Sequence, residues 1–245
     1  MTTNPQIHSR KAFVFLAARW EHLILATYAV ESELLAEYIP KGLELDMLDG
    51  KAFVSFVAFE FLDTRVLGFK IPMHVNFPEI NLRYYVKLGA QRGVSFIREI
   101  VPHSTTAWMA RTLYNEPYVA LPIRSRILTK ENRLTAEYDV KQDGRTHAVS
   151  VVAENRPFLP KPDSLAHFFK EHEWGFGRTH GGKTLGYRVE HPHWNVYPLT
   201  SFKIDVDFAA LYGPKWAVLN GAEPFNVTFA HGSPIKVYAP YSAIV

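Results

Sequence analysis

Glu79, Asn81 and Arg83 alternate along the segment Glu79–Leu88, whose period is strictly two. Side chains of a β-strand point to opposite faces in turn. Ile80, Leu82, Tyr84, Val86 and Leu88 therefore share one face, and Glu79, Asn81, Arg83, Tyr85 and Lys87 share the other. A carboxyl, an amide and a guanidinium in a row can grip a small acid or carbonyl compound. The guanidinium pairs with an anionic oxygen, Asn81 orients a carbonyl, and Glu79 is the general acid or base. The same row has two structural readings, a solvated strand face or the polar interior of a barrel. The stretch Ala52–Phe59 is apolar on both faces. Such a strand is covered on both sides, which favours the interior.

Other spacings invite chemistry less strongly. Gly177-Arg178-Thr179-His180-Gly181-Gly182-Lys183-Thr184 fits the pattern of a phosphate-binding loop. That loop needs a buried strand before it and a helix after it. Here a strand pattern, Thr184–Val189, follows, so the segment reads as a hairpin turn instead. His191-Pro192-His193 is an H-x-H pair that would bring two imidazoles to one face of a strand as a metal pair. A third ligand is not apparent, although His180 or His231 could approach in space, and Pro192 and Trp194 equally suit a packed loop. Lys87 and Lys203 sit where a nucleophilic amine would lack a desolvated pocket.

The elements that must position these residues are mostly strands. Leu23–Val30 reads as a strand, and Ser32 as the cap of a short helix stopped by Pro40. Leu43–Leu48 and Lys51–Phe61 flank Asp49-Gly50, a hairpin signal. Val94–Val101 follows Gln91-Arg92-Gly93, and Ser104–Tyr114 reads as a helix ended before Pro117. A meander of Ile123–Thr129, Arg133–Lys141 and Arg145–Ala153 comes next. Ser164 caps a helix to about Glu173, and strands are predicted at Thr184–Val189, Ser201–Phe208, Phe225–Phe229 and Ile235–Tyr238. Many strands with short turns predict an α+β, mainly β, antiparallel barrel or sandwich with a few short peripheral helices. Regular βαβ alternation is absent, which excludes a doubly wound nucleotide fold.

Composition narrows the function classes. The chain has 245 residues, 47% hydrophobic and 21% charged, and is expected to form one domain over residues 1–245. No cysteine means no disulfide scaffold, thiol catalysis, zinc finger or iron–sulfur cluster. A net charge of +3 without a basic cluster gives no nucleic-acid footprint. No apolar run reaches the roughly 18 residues of a membrane span. Ala12–Ala18 follows Arg10 and Lys11 in the manner of a signal peptide, but Arg19 and Glu21 come at once, so the reading is mature cytoplasmic protein.

Several runs together resemble a known family. They are Phe77-Pro78-Glu79-Ile80-Asn81-Leu82-Arg83-Tyr84-Tyr85-Val86, Arg92-Gly93-Val94-Ser95-Phe96, and Ala110-Arg111-Thr112-Leu113-Tyr114-Asn115-Glu116-Pro117-Tyr118. Trp20, Pro40–Leu45, Ser164–Phe169 and His191-Pro192-His193-Trp194 also fit. They resemble the uncharacterised bacterial YqjF-like family, itself similar to the acetoacetate-decarboxylase-like superfamily. The resemblance implies a cone-shaped, mainly antiparallel β-barrel with a central pocket for a small-molecule ligand, no cofactor, and possible assembly into a homo-oligomer. The superfamily's Schiff-base lysine lies in a Gly-Phe-Pro-Lys-Lys run. Here the matching run is Asn115-Glu116-Pro117-Tyr118-Val119, so both lysines are lost and Schiff-base decarboxylation is not implied. Glu79 matches the superfamily's pocket glutamate in approximate register, and Arg111 the arginine before the lysine run. Tyr118, at the vacated position, would donate a proton or fill space. Arg178 and Trp194 are further expected pocket residues, with hairpin surface and core packing as their plainer readings. The expected function is an enzyme acting on a small organic acid or carbonyl compound by Glu/Arg acid–base chemistry. The alternatives are a non-catalytic metabolite-binding module and a His-ligated metal enzyme.

Overall fold

The computed structural model describes residues 13–242. Its elements in chain order are β1 (Val14–Val30), β2 (Glu44–Leu45), β3 (Ala52–Val66), β4 (Phe77–Leu88) and β5 (Gln91–Val101). Then come α1 (Ser104–Tyr114), β6 (Tyr118–Ala120), β7 (Ile123–Lys130), β8 (Arg133–Gln142), β9 (Arg145–Glu154) and α2 (Leu165–Lys170). β10 (Trp174–Arg178), β11 (Thr184–Glu190), β12 (Leu199–Asp205), α3 (Phe208–Tyr212), β13 (Asn226–Tyr238) and β14 (Tyr241–Ser242) complete the chain. The fold is mainly β with a few short helices, as the strand-rich pattern predicts.

The larger sheet runs β2-β4-β3-β1-β13-β11-β10-β5-β6, and β4 also pairs with β5. That extra pairing closes the path, so β4, β3, β1, β13, β11, β10 and β5 form a ring. A second sheet, β12-β9-β8-β7, lies outside it. The even-numbered face of β3 and β4 (Val54, Phe56, Ala58, Ile80, Leu82, Tyr84) packs with Ala136 and Tyr138 of β8 and Val149 and Val151 of β9. Phe208, Tyr212 and Trp216 complete that core. The odd-numbered face of β3 (Val57, Phe59, Phe61) packs into a separate cluster with Leu25, Tyr187, Val189 and Trp194. Both faces of Ala52–Phe59 are thus buried, for the reason its unbroken apolar sequence suggests.

The chain turns where its sequence signals turns. Asp49 (φ 50°) and Gly50 (φ 75°) take the left-handed conformations of a type I′ turn, bridging Leu48 to Lys51. The phosphate-loop pattern is a hairpin: Arg178 pairs with Thr184 across the antiparallel β10–β11 ladder. Other boundaries differ from the sequence reading. The first strand begins at Val14 and takes in Val14–Ala18, while Ala12 lies outside the described residues. Ser32 opens a single turn of 3-10 helix whose cap is Glu31, with no side-chain cap bond. Phe208 starts α3, because Asp207 caps it by accepting the Ala210 N–H at 3.1 Å. The helix capped by Ser164 ends at Lys170. The two last predicted strands are one, β13, continuous through Gly232. Gly232 has φ 88°, and a Cβ there would lie 1.9 Å from the Trp20 carbonyl oxygen, so the close β1–β13 approach requires glycine.

Candidate functional site

Every strand of the ring contributes to one cavity of about 160 Å³. Its walls carry Trp20 of β1, Phe59 of β3, Val94 and Phe96 of β5, Trp174 and Gly175 of β10, Tyr187 and Val189 of β11, and Val237 of β13. The cavity therefore lies inside the ring. Thr106, Met109 and Ala110 of α1 border it, as do Lys170 and His172 around the end of α2. Gly175 is needed here, since a Cβ would meet the Tyr187 ring at 2.1 Å. The walls are mostly apolar, and the polar groups on them converge from few places.

β4 supplies Glu79, Asn81 and Arg83, all on cavity walls. The row is the barrel interior and not a solvated face: Glu79 is 2% and Asn81 3% exposed. Asn81 Nδ2 donates to Glu79 Oε1 at 3.0 Å, and the Tyr118 hydroxyl donates to Glu79 Oε2 at 3.1 Å. β5 adds Glu99, directly opposite Asn81 in the antiparallel register. The turn after α1 adds Glu116, which is 4% exposed and beneath Gly177. Burial pushes Glu79 up to about 7, against the lowering effect of hydrogen bonds from Asn81, Tyr118 and Glu99. Burial pushes Glu99 well above the usual carboxyl range, and the charges of Glu79 and Glu116 push it further. Glu116 is raised to about 8, by burial and by Glu79, against a hydrogen bond to Tyr187. Burial, followed by the charges of Glu79 and Glu99, raises the Tyr118 hydroxyl well above its ordinary value and keeps it a donor. Three carboxyls this close and dry cannot all ionise. The group holds protons at neutral pH and can pass them.

Arg83 stands apart from Glu79. A guanidinium beside the carboxyl would keep it ionised, but among the described residues no ion pair joins the two. Arg83 Nη2 instead donates to the Phe169 carbonyl at 3.0 Å, its Cζ lies 5.8 Å from the Tyr85 ring centre, and its buried Nε has no hydrogen-bond partner. Lys170, the residue after Phe169, is wholly buried and paired with Glu171. His172 is buried with Nε2 3.7 Å from Asp46 Oδ2, and burial depresses it to about 4, so it is neutral. The cavity thus has carboxyls toward β6 and cations toward α2.

The remaining residues singled out in the sequence scatter. Trp194 is buried on the cavity wall, its Nε1 donating to Ser233 Oγ at 2.7 Å. Arg111 lies exposed on α1 and donates to the Tyr118 carbonyl at 3.4 Å, away from the cavity walls. Arg178 donates to the carbonyls of Glu37 and Ile39 at 2.8 and 2.7 Å, tying the β10–β11 hairpin to the segment after β1. His191 borders the cavity and stacks on Trp194, ring centres 4.4 Å apart, in a segment that is not a strand. His193 turns to Glu171, Nδ1 to Oε2 2.9 Å. Lys203 is exposed on β12, as its strand face predicts. Glu99, Glu116, Tyr187, Lys170 and His172 were not singled out by sequence. The available signal was the Arg98-Glu99 pair inside an otherwise largely apolar strand, and Glu116 just before a proline.

Relatives agree with this architecture. The chain is 27% identical over 179 residues to the uncharacterized protein YqjF of Bacillus subtilis (strain 168), covering 71% of this chain and 72% of that protein. Among solved structures, the enduracididine biosynthesis enzyme MppR complexed with pyruvate superposes with a TM-score of 0.65 at 13% identity, over 96% of this chain and 93% of that one. An acetoacetate-decarboxylase-like enzyme from Sphingomonas wittichii RW1 superposes with a TM-score of 0.62 at 12% identity, over 95% of each chain. The fold is therefore acetoacetate-decarboxylase-like. None of the described helices is long and apolar enough to cross a membrane. With residues 17–240 matched, the chain belongs to the DUF2071 family of uncharacterized conserved proteins.

Proposed function

We propose that this protein is an enzyme that binds a small organic acid or carbonyl compound inside the ring and moves a proton beside its carbonyl. The observation that carries this reading is the dry group Glu79–Glu99–Glu116 with Tyr118, which holds protons near neutral pH on the wall of a cavity. General acid–base catalysis works best with a group whose pKa lies near the working pH. Glu79 is the acid or base, Tyr118 and Asn81 fix its carboxyl, and Glu99 and Glu116 take up or return the proton. Arg83 holds the anionic oxygen with its unpartnered Nε. The cavity, at about 160 Å³, is below the roughly 300–1,000 Å³ of drug-sized sites and suits a ligand of few heavy atoms. A similar fold with pyruvate bound supports a small oxo acid as the ligand class.

The second reading is a binding module without turnover, favoured by Tyr118 standing where the superfamily has its nucleophilic lysine. Pyruvate in D₂O, followed by proton NMR of its methyl group, separates the two. The enzyme reading expects protein-dependent exchange that falls at least about 100-fold in Glu79→Gln while pyruvate binding persists. Binding without exchange in the unsubstituted protein, across a panel of small oxo and hydroxy acids, would leave the binding module. Arg83→Ala is expected to weaken binding about 10- to 100-fold. Unchanged affinity there removes Arg83 from the site.

A further inference from the structure

A second cluster lies beside the cavity, around the end of α2. His167 lies in α2 and Glu171 caps its C-terminus, the Glu171 N–H donating to the His167 carbonyl at 3.2 Å, which holds the two residues close. His193 reaches the same spot from the segment before β12. One donor atom from each of the three lies within 4.8 Å of the others. The His167 and His193 rings are 5.6 Å apart, centre to centre, inclined at 38°. His193 Nδ1 is 2.9 Å from Glu171 Oε2.

We propose that His167, Glu171 and His193 form a binding site for a first-row divalent cation of the zinc class. Two imidazoles and one carboxylate are a donor set that zinc takes in sites with a fourth position left open. Zinc–ligand bonds of about 2.0–2.2 Å put tetrahedral donors about 3.3 Å apart. The carboxylate–His193 separation is close to that already, and the remaining gap closes by rotation of His193, whose side chain is 67% exposed.

Two features set these residues apart from a chance surface cluster. Glu171 is held from behind: Lys170 Nζ pairs with Oε1, and the Trp194 backbone N–H donates to the same oxygen at 3.3 Å. This leaves Oε2 aimed at the histidines, which is how outer partners orient a metal-binding carboxylate. Second, the His167 ring makes no hydrogen bond among the described residues, so a nitrogen is free to ligate. Lys170 and Trp194, which fix Glu171, themselves line the cavity. A cation here would sit at its rim, and its open position would take water or a ligand oxygen. The histidine paired with His193 is thus His167 and not His191, which stacks on Trp194.

The test is calorimetric titration of chelator-stripped full-length protein with Zn²⁺ alone, with Co²⁺ absorption as a second readout. The expected result is one equivalent bound at micromolar Kd or tighter, with the intense visible bands of tetrahedral Co²⁺. His193→Ala, at an exposed position that the fold does not need, is expected to weaken binding at least about 100-fold and abolish the bands, and His167→Ala likewise. His191→Ala is expected to leave affinity within about threefold. Absence of Zn²⁺ binding, or binding undiminished in both His193→Ala and His167→Ala, overturns the site. Neither result bears on proton exchange at Glu79, so the two readings fail independently.

Discussion

The buried carboxyls of this ring and the carboxyl of Glu60 on its edge have opposite chemistry. Glu79, Glu99 and Glu116 face one another, and burial raises all three above the ordinary glutamate value. Glu60 is on β3, only a strand away, opposite Pro78 and next to Phe59. Burial would raise it too, but His22 Nδ1 at 3.0 Å and Ser125 Oγ at 2.9 Å donate to it, and its pKa is lowered. The residue type is shared, but Glu60 keeps 18% of its side chain exposed whereas Glu79, Glu99 and Glu116 are buried to 2–4%. Neutral donors reach Glu79 from Asn81 and Tyr118, yet they do not offset full burial beside other carboxyls. At Glu60 the His22 and Ser125 donors do outweigh the partial burial, and the carboxyl becomes a structural tie.

The comparison breaks most visibly in the pH dependence of stability. A carboxyl raised in the folded state binds more protons folded than unfolded, so its stabilisation is full below about 4.5 and is lost as pH rises to about 8. Glu116→Gln removes that loss. In urea unfolding the variant is expected to match the parent near pH 5 and to exceed it at pH 9 by as much as about 4 kcal/mol. A parent at least as stable at pH 9 as at pH 5 would contradict the raised values.

Glu60 gives the reverse sign. Its lowered pKa contributes stability above the unfolded value of 4.5, lost as pH falls through the folded one. Glu60→Gln is expected to cost about 1–3 kcal/mol at pH 7 and progressively less below pH 4, since His22 and Ser125 lose a charged acceptor. Equal cost at pH 3 and pH 7 would mean the charge is irrelevant. Tyr118→Phe is smaller in energy, about 1 kcal/mol, but sharper in meaning. It removes a donor that lowers Glu79, so the Glu79 carboxyl, followed by ¹³C NMR, should titrate above about 7. A downward move would show that Tyr118 does not donate to it. Ser125→Ala is the mildest, about 0.5–1 kcal/mol, with no effect on proton exchange from a cavity ligand.

How far the sequence could be read depends on strand regularity. β4 keeps its period from Glu79 to Leu88, so its buried polar row was legible, and so were the β7–β9 meander and the hairpin beneath the phosphate-loop pattern. Glu99 was not. The β4–β5 register shifts between Leu82 and Arg83, where Arg98 and Phe96 are the respective partners. Val94 and Phe96 line the cavity before the bulge and Glu99 after it, although simple alternation puts Glu99 on the opposite face. Arg98 turns outward to the Leu211 carbonyl. Glu116 and Tyr118 reach the site only because β6 runs parallel to β5, with Tyr118 against Glu99. Such a pairing leaves no local pattern. Lys170 was hidden for a similar reason: a lysine at the end of a short helix reads as exposed until its carboxylate partner is seen.

The pairing of β1 with β13 has a consequence for how the chain is made. Thr27 pairs with Asn226, and Val14 with Tyr238. At synthesis rates of about 5–20 residues per second, β1 waits on the order of 10–40 s after it is complete before β13 exists. During that interval the edge of β1 destined for β13 is open, the ring cannot close, and the proton-holding carboxyls have no dry interior to occupy. The growing chain therefore carries an open strand edge until β13 is made and can cover it. Its yield in a cell should depend on chaperones that shield such edges more than on the stability of the finished ring.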